Sequence, residues 1–338
     1  MTIYLNTLMA GNDLRRDESY ALFSQMPTYS LAQQTAILSL FVKKQETKDE
    51  LLGALDALLE HSVPVDYPQE VIDIVGTGGD GLGTFNISTA ASLVIASCGV
   101  TVAKHGGRRV SSYAGSTDVL EALRVPLVQT PEACITHLET LGYAYLSAPL
   151  FNPLLRSFGE LRKQLGIPTI FNTLGPLLNP LRPKRQVLGV YRRHLLPTVA
   201  QVLKASGLDH ALVVHSDDGL DELSISAPSH VAELRHGLIR EYIITPEDVG
   251  LKYAPLNDVV GGNSAENARI ICDLFSGKIT DAKLDIVLLN SAAGLLVAER
   301  VSTLKEGVEM ARAVIASGCT AAFFHTLRTH KGQENNND

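Results

Sequence analysis

DIVGTGGDGLGTFNISTAAS, residues 73–92, begins as a β-branched run and passes through five glycines within eight residues. It ends in a Ser-Thr pair that opens an apolar helix. Glycines let backbone N–H groups approach and face an anion. A helix start adds unpaired N–H groups and a favourable dipole. Strand, glycine loop and helix in this order form one unit of a parallel α/β fold, with a loop suited to phosphate.

The same alternation continues on the C-terminal side. VIDIV is followed by a helix predicted over 89–98, VTVA by one over 117–124, PLVQ by one over 131–141 and YAYLS by one over 153–165. Thr130, Pro131 and Gly142 read as N-cap, first helical residue and C′ of the third helix, and Asn152, Pro153 and Gly166 as those of the fourth. QVLGVY, a helix over 195–206 and HALVVHS extend the series. Repeated β-α alternation predicts a mostly parallel sheet flanked by helices. SHVAELRHGLIREYII differs and reads as an antiparallel hairpin about His236-Gly237. Helical patterns return at 264–276, 282–299 and 304–317. On the N-terminal side, residues 1–62 read as helical. Thr47-Lys-Asp-Glu50 fits a capping box before Leu51, Leu52, Leu55, Leu58 and Leu59. Residues 63–70 look like a connector, and the polar tail 331–338 reads as disordered.

The 338 residues carry a net charge of −7 and are 45% hydrophobic, an ordinary globular composition of about two domains. An acidic chain is a poor default binder of nucleic acid or anionic membrane. The four cysteines have no metal or CxxC spacing. They sit in apolar contexts and read as buried, reduced thiols of a cytosolic protein. No signal peptide and no run long enough to span a bilayer is apparent.

Gly76-Thr-Gly78-Gly-Asp-Gly81 also matches the dinucleotide-binding fingerprint. That site wants an acid at the end of the second strand, where this chain has Lys104-His105. The residues LGTFNI also delay the helix beyond a tight Rossmann turn. A second cluster, KHGGRRVSSYAGSTD at 104–118, supplies the cations Lys104, Arg108 and Arg109. It adds donors at Gly106, Gly107, Ser111, Ser112 and Ser116. A third, Asp217-Asp218-Gly-Leu-Asp221-Glu222, follows HALVVHS and suggests Mg²⁺, which takes oxygen ligands and bridges to substrate phosphates. Asp221 and Glu222 are the stronger candidates, because Gly219 breaks the chain before them. An exposed acidic turn is the plainer alternative. His105 reads either as a substrate polariser or a loop cap, and His215 as a core histidine.

Together, GTGGDG…TFNIST, KHG-x-R-x-VSS-x-x-GS-x-DVLEAL, LGIPTIFNTLGPLLNP, DGLDE and GGNSAENA resemble, in order, the motifs of the anthranilate phosphoribosyltransferases. The resemblance implies a helical domain over residues 1–66, completed by helices within 153–185. It implies an α/β donor-binding domain over 71–330 and a homodimer formed through the helical domain. The implied reaction moves phosphoribosyl from 5-phosphoribosyl 1-pyrophosphate to the amine of anthranilate, a step of tryptophan synthesis. Carried over by motif, Gly76, Gly79, Asp80, Thr84, Asn86, Ile87, Ser88 and Thr89 contact the donor, as do Lys104, Arg108, Ser111, Ser112 and Ser116. Ser88, Asp221 and Glu222 hold Mg²⁺, as two ions. Gly76, His105, Gly107, Arg162, Gly175 and Pro176 face anthranilate. Lys104, Arg108, Asp221 and Glu222 are the implied catalytic groups.

Four departures stand out. Gly107 occupies the position usually Asn in KHGN, Arg109 one usually Ser or Ala, and Tyr113 one often Lys or Arg. The usual KGET reads Lys44-Gln45-Glu46-Thr47. Three of these lie on the acceptor side, so another aromatic amine is an alternative acceptor. A pyrimidine nucleoside phosphorylase needs no metal on a pyrophosphate, and a nucleic-acid-binding paralogue would lose the glycine loop and gain positive charge.

Overall fold

The computed structural model describes residues 2–108 and 114–330. Its sheet has seven strands: β1 (Ile72–Gly76), β2 (Val102–Gly106), β3 (Tyr143–Ser147), β4 (Arg185–Gly189), β5 (His210–Ser216), β6 (Ser229–Arg235) and β7 (Leu238–Ile244). Their order is β3-β2-β1-β4-β5-β6-β7. β1 to β5 run parallel and are nearly all buried, as helices on both faces of a parallel sheet require. The last two strands are antiparallel. Their turn is His236 (φ 51°) followed by Gly237 (φ 74°), two left-handed residues that match the strand twist.

Helix Pro131–Leu141 keeps its expected ends: the Thr130 hydroxyl accepts from the Ala133 N–H, and Gly142 is left-handed. The region 153–165 departs from the single helix expected. It forms short helices Ala148–Phe151, Pro153–Ser157 and Gly159–Leu165. The break falls at Phe158, whose ring stacks on Phe171 with centroids 4.7 Å apart, so aromatic packing takes precedence over helix continuity. Asn152 does not cap with its side chain. Its buried amide instead donates to the carbonyls of Ala148 and Leu178, both at 3.3 Å. PLVQ forms no strand, only a bridge from Val128 to Leu146. VTVA is displaced: β2 begins at Val102 and runs on through Lys104 and His105, because pairing with β3 continues to Gly106. The sequence patterns also missed a last helix, Cys319–Thr329. The tail 331–338 lies outside the described residues.

Apolar side chains of the N-terminal helices form one cluster with residues from 148–178. Phe23 meets Phe171 edge-on at 5.9 Å within it. The cluster brings the segment 159–178 over the carboxyl ends of the strands. Thr47 caps helix Lys48–Glu60, with its hydroxyl accepting from the Glu50 N–H. Buried Glu50 also accepts from Lys44 Nζ at 2.8 Å. Between them Gln45 sits at φ 71°, ψ 142°, close to a region that glycine alone enters freely. The side chain of Gln45 is exposed. Gln45→Gly is therefore expected to stabilise the protein by about 1 kcal/mol, the relief of strain less the added freedom of glycine when unfolded. Urea titration of the two proteins checks this, and a lower midpoint for the glycine variant would contradict it.

Candidate active site

β1 lies between β2 and β4, so the chain leaves its end towards β2 while β4 pairs on its other side. Loops diverge at such a switch point and leave a crevice beyond the strand ends, where parallel sheets bind ligands. A cavity occupies that crevice. Gly76, Gly79, Asp80, Thr84, Asn86, Ile87 and Ser88 line it from the glycine loop, and His105, Gly107, Arg108 and Ser116 from the second loop. Arg162, Gly175 and Pro176 line it from the helical side, and Asp221 and Glu222 from the turn after β5. Ser111 and Ser112, with Arg109 and Tyr113, lie outside the described residues.

Two expected contact residues stand back from the cavity. Thr89 is fully buried, and its hydroxyl donates to Ser116 Oγ at 3.2 Å. Lys104 was expected in a loop but belongs to β2 and is fully buried. Its Nζ donates to the Ile74 carbonyl at 2.7 Å and to Ser88 Oγ at 3.3 Å. Burial depresses its pKa, while the charges of Asp73 and Glu222 hold the proton on. Arg108 lines the cavity but its guanidinium bonds Asp118 at 3.0 Å and also pairs with Glu121. Those partners raise its pKa.

The acids form the opposite pattern. The carboxylate of Asp221 accepts from the Gly78 N–H at 2.6 Å, and that of Glu222 from the Ser88 N–H at 3.2 Å. Burial, then repulsion from Asp80 and Glu222, pushes Asp221 well above the carboxylate range. Burial takes Glu222 up to about 7 despite Lys104. Asp217 and Asp218 are used elsewhere: Asp217 accepts from His230 at 2.7 Å, and Asp218 from the Leu220 N–H at 3.2 Å. Among the described residues no group of three or more metal-ligating side chains is assembled. A divalent cation here needs further ligands, which suits Mg²⁺ held by one or two carboxylates together with substrate phosphates. Mutual repulsion between Asp80, Asp221 and Glu222 is what such a cation would relieve.

Across the cavity Arg162, on helix Gly159–Leu165, has its pKa lowered by burial alone. It is in no ion pair among the described residues. Buried His105 has its pKa depressed to about 4, chiefly by burial, and is neutral at pH 7.

Comparison with known families places the whole fold in one of them. The glycosyl transferase family helical bundle domain matches residues 2–62, and the glycosyl transferase family a/b domain matches residues 68–321. The anthranilate phosphoribosyltransferase of Symbiobacterium thermophilum is 43% identical, covering 98% of each chain. That of Bacillus subtilis is 40% identical over 97% of this chain and 98% of its own. The chain belongs to the anthranilate phosphoribosyltransferase family. Crystallised family members share the fold. The Thermus thermophilus protein has a TM-score of 0.88 at 38% identity, covering 96% of this chain and 98% of its own. The Saccharomyces cerevisiae protein, in complex with PRPP and Mg, has a TM-score of 0.88 at 27% identity, covering 96% of each.

Several residues that organise the site were not singled out from the sequence. Asn179 donates to Asp73 Oδ2 at 2.9 Å and to the Ala103 carbonyl at 2.8 Å, tying β1 to β2. Asn267 donates to Asn86 Oδ1 at 2.9 Å and accepts from the Gly262 N–H at 2.7 Å. Asn172 donates to the Thr77 carbonyl at 3.3 Å. All three lie within motifs that carry the resemblance, LGIPTIFNTLGPLLNP and GGNSAENA, which was the signal available for them.

Gly107 has open space around it: a Cβ there meets nothing within 4 Å. The Cβ of Gly107→Asn, the residue the resemblance gives at this position, therefore has room. If position 107 faces the acceptor as the resemblance implies, one added hydrogen bond should lower the Michaelis constant for anthranilate roughly threefold to tenfold. An unchanged or raised constant would show that position 107 does not bond the acceptor.

Proposed function

We propose that the chain transfers phosphoribosyl from 5-phosphoribosyl 1-pyrophosphate to the amine of anthranilate, giving N-(5-phosphoribosyl)anthranilate and pyrophosphate, in tryptophan synthesis. The observation that carries this reading is the polarity of the cavity. One wall holds the carboxyls of Asp80, Asp221 and Glu222, the last two accepting from the Gly78 and Ser88 N–H groups of the glycine loop and helix start. The facing wall holds Arg162, a half-buried cation with no acid partner among the described residues.

The N–H groups of the glycine loop and the start of helix Ile87–Ser97 hold the donor's anionic oxygens. Asp221 and Glu222, with Ser88, would hold Mg²⁺, proposed as two ions, and the metal would supply positive charge to the pyrophosphate leaving group. Arg162 pairs with the carboxylate of anthranilate and aims its amine at C1 of the ribose. The uncharged amine then forms the C1–N bond as the C1–O bond to pyrophosphate breaks. The new ammonium is acidic and loses its proton without a strong base, in keeping with a neutral, weakly basic His105. Rate enhancement rests on positioning and on fixed electrostatics. Lys104 acts from behind Ser88 and Glu222 rather than by touching the donor.

A homodimer through the helical domain is the proposed assembly. Ile3, Met9 and Leu31 there are 70%, 67% and 52% exposed. The cytoplasm is the proposed location. No single helix among the described residues is long and apolar enough to cross a membrane. The test of function follows the fluorescence of anthranilate with donor and Mg²⁺ each omitted in turn. Loss only in the complete mixture is expected. Loss that persists without donor would contradict the transfer, and no loss in the complete mixture would rule out anthranilate as acceptor.

A further inference from the structure

β1 and β4 end in a rung of two glycines, since Gly76 pairs in register with Gly189. Neither has a positive φ, so turn geometry does not account for them. The chain at Asp221 crosses the bare patch they leave. A Cβ on Gly189 would overlap the carbonyl of Asp221 and stand 3.2 Å from its Cα. A Cβ on Gly76 would overlap the carboxylate itself, with Cγ at 2.9 Å. Further hydrogen bonds close the seat. The Thr77 N–H donates to the Gly189 carbonyl at 2.9 Å, and the Tyr191 N–H to Thr77 Oγ1 at 3.0 Å. The Gly78 N–H holds the same carboxylate oxygen, Oδ2, at 2.6 Å.

We propose that the Gly76–Gly189 rung is a moulded seat for Asp221, which makes Gly189 a positioning residue for the cation that accompanies the donor pyrophosphate. Gly76 serves the same seat, in addition to any contact with ligand. The inference rests on Asp221 as a metal-holding residue. A carboxylate on a flexible turn would sample many positions, whereas one whose main chain lies against two strand ends has a single place to stand. Residues that orient a metal ligand change affinity by about 10–100-fold when altered.

The test is calorimetric titration of phosphoribosyl pyrophosphate, with and without Mg²⁺, into the full chain. Gly189→Ala and Gly76→Ala are each expected to weaken binding by at least about tenfold in Mg²⁺. Little change is expected in its absence. Gly76→Ala overlaps chiefly the carboxylate and comes no nearer than 3.2 Å to the Asp221 carbonyl, a milder clash than that of Gly189→Ala, so it keeps the test open should Gly189→Ala not fold. In an Asp221→Ala background the carboxylate clash is gone, and Gly76→Ala should then cost clearly less binding than it does in the wild type. Equal weakening with and without Mg²⁺, additive losses in the double variant, or wild-type binding by both glycine variants would each overturn the seat. If the wild-type protein itself binds donor equally well with and without Mg²⁺, the metal reading of Asp221 fails as well.

Discussion

Asp221→Asn is expected to lower kcat by on the order of 10²–10³, the range seen when one charge-stabilising group is removed from a reaction centre. The same substitution should raise resistance to urea. The two effects have one cause. Asp221 is buried beside Asp80 and Glu222, and all three carboxyls have raised pKa values. A carboxyl whose folded pKa lies above its unfolded value binds more protons folded than unfolded. Its ionisation therefore destabilises the fold as pH rises through the interval between the two values. For Glu222 that interval runs from the ordinary glutamate value to about 7. The wild-type protein without ligands should thus lose stability as pH rises through this window. The Asn variant should lose less. It keeps a carbonyl oxygen to accept from the Gly78 N–H, so the loop retains its anchor. Activity assays and urea titrations at pH 5 and pH 8 measure both effects. A variant less stable than wild type at pH 8 would show that the carboxylate supports the fold rather than straining it.

Lys104→Met is expected to cost about 3–5 kcal/mol of stability, the usual penalty for removing one partner from a buried ionic cluster. Two consequences combine. Glu222 and Asp73 lose the nearby cation that favours their charged forms. The Ile74 carbonyl and Ser88 hydroxyl lose their buried donor. Ser88 opens the helix whose start lines the cavity, so activity should fall with stability. Urea titration without ligands measures the first effect. A loss below about 1 kcal/mol would mean that Asp73 and Glu222 take up protons to compensate, which a shift of the pH-stability profile would reveal.

Much of this site is legible in one dimension because its chemistry is local. A phosphate loop needs glycines and, a few residues on, a helix start, and 73–92 carries both. Thr130-Pro131 and Gly142 mark helix ends because capping acts within four residues. Lys104 was misread because VTVA looked complete at Ala103. What carried the strand onward was pairing with Tyr145 and Leu146, some forty residues away. Helix 153–165 was misread because the ring of Phe171, not a neighbour in sequence, decides the break at Phe158. Asn179 was not singled out, because its partners Asp73 and Ala103 lie 106 and 76 residues away.

The sequence by itself determined the strand-and-helix alternation, the glycine loop, the acidic pair and the family motifs, since each depends on neighbours along the chain. Only the tertiary structure decided which of these meet. It placed β1 between β2 and β4, laid Asp221 across the glycine rung and swung Arg162 over the strand ends. It also turned Lys104 from a loop cation into a buried one. The hydrogen bond from Gly78 to Asp221 spans 143 residues. Contacts of that range are set by how layers pack and strands order, and no local pattern encodes either.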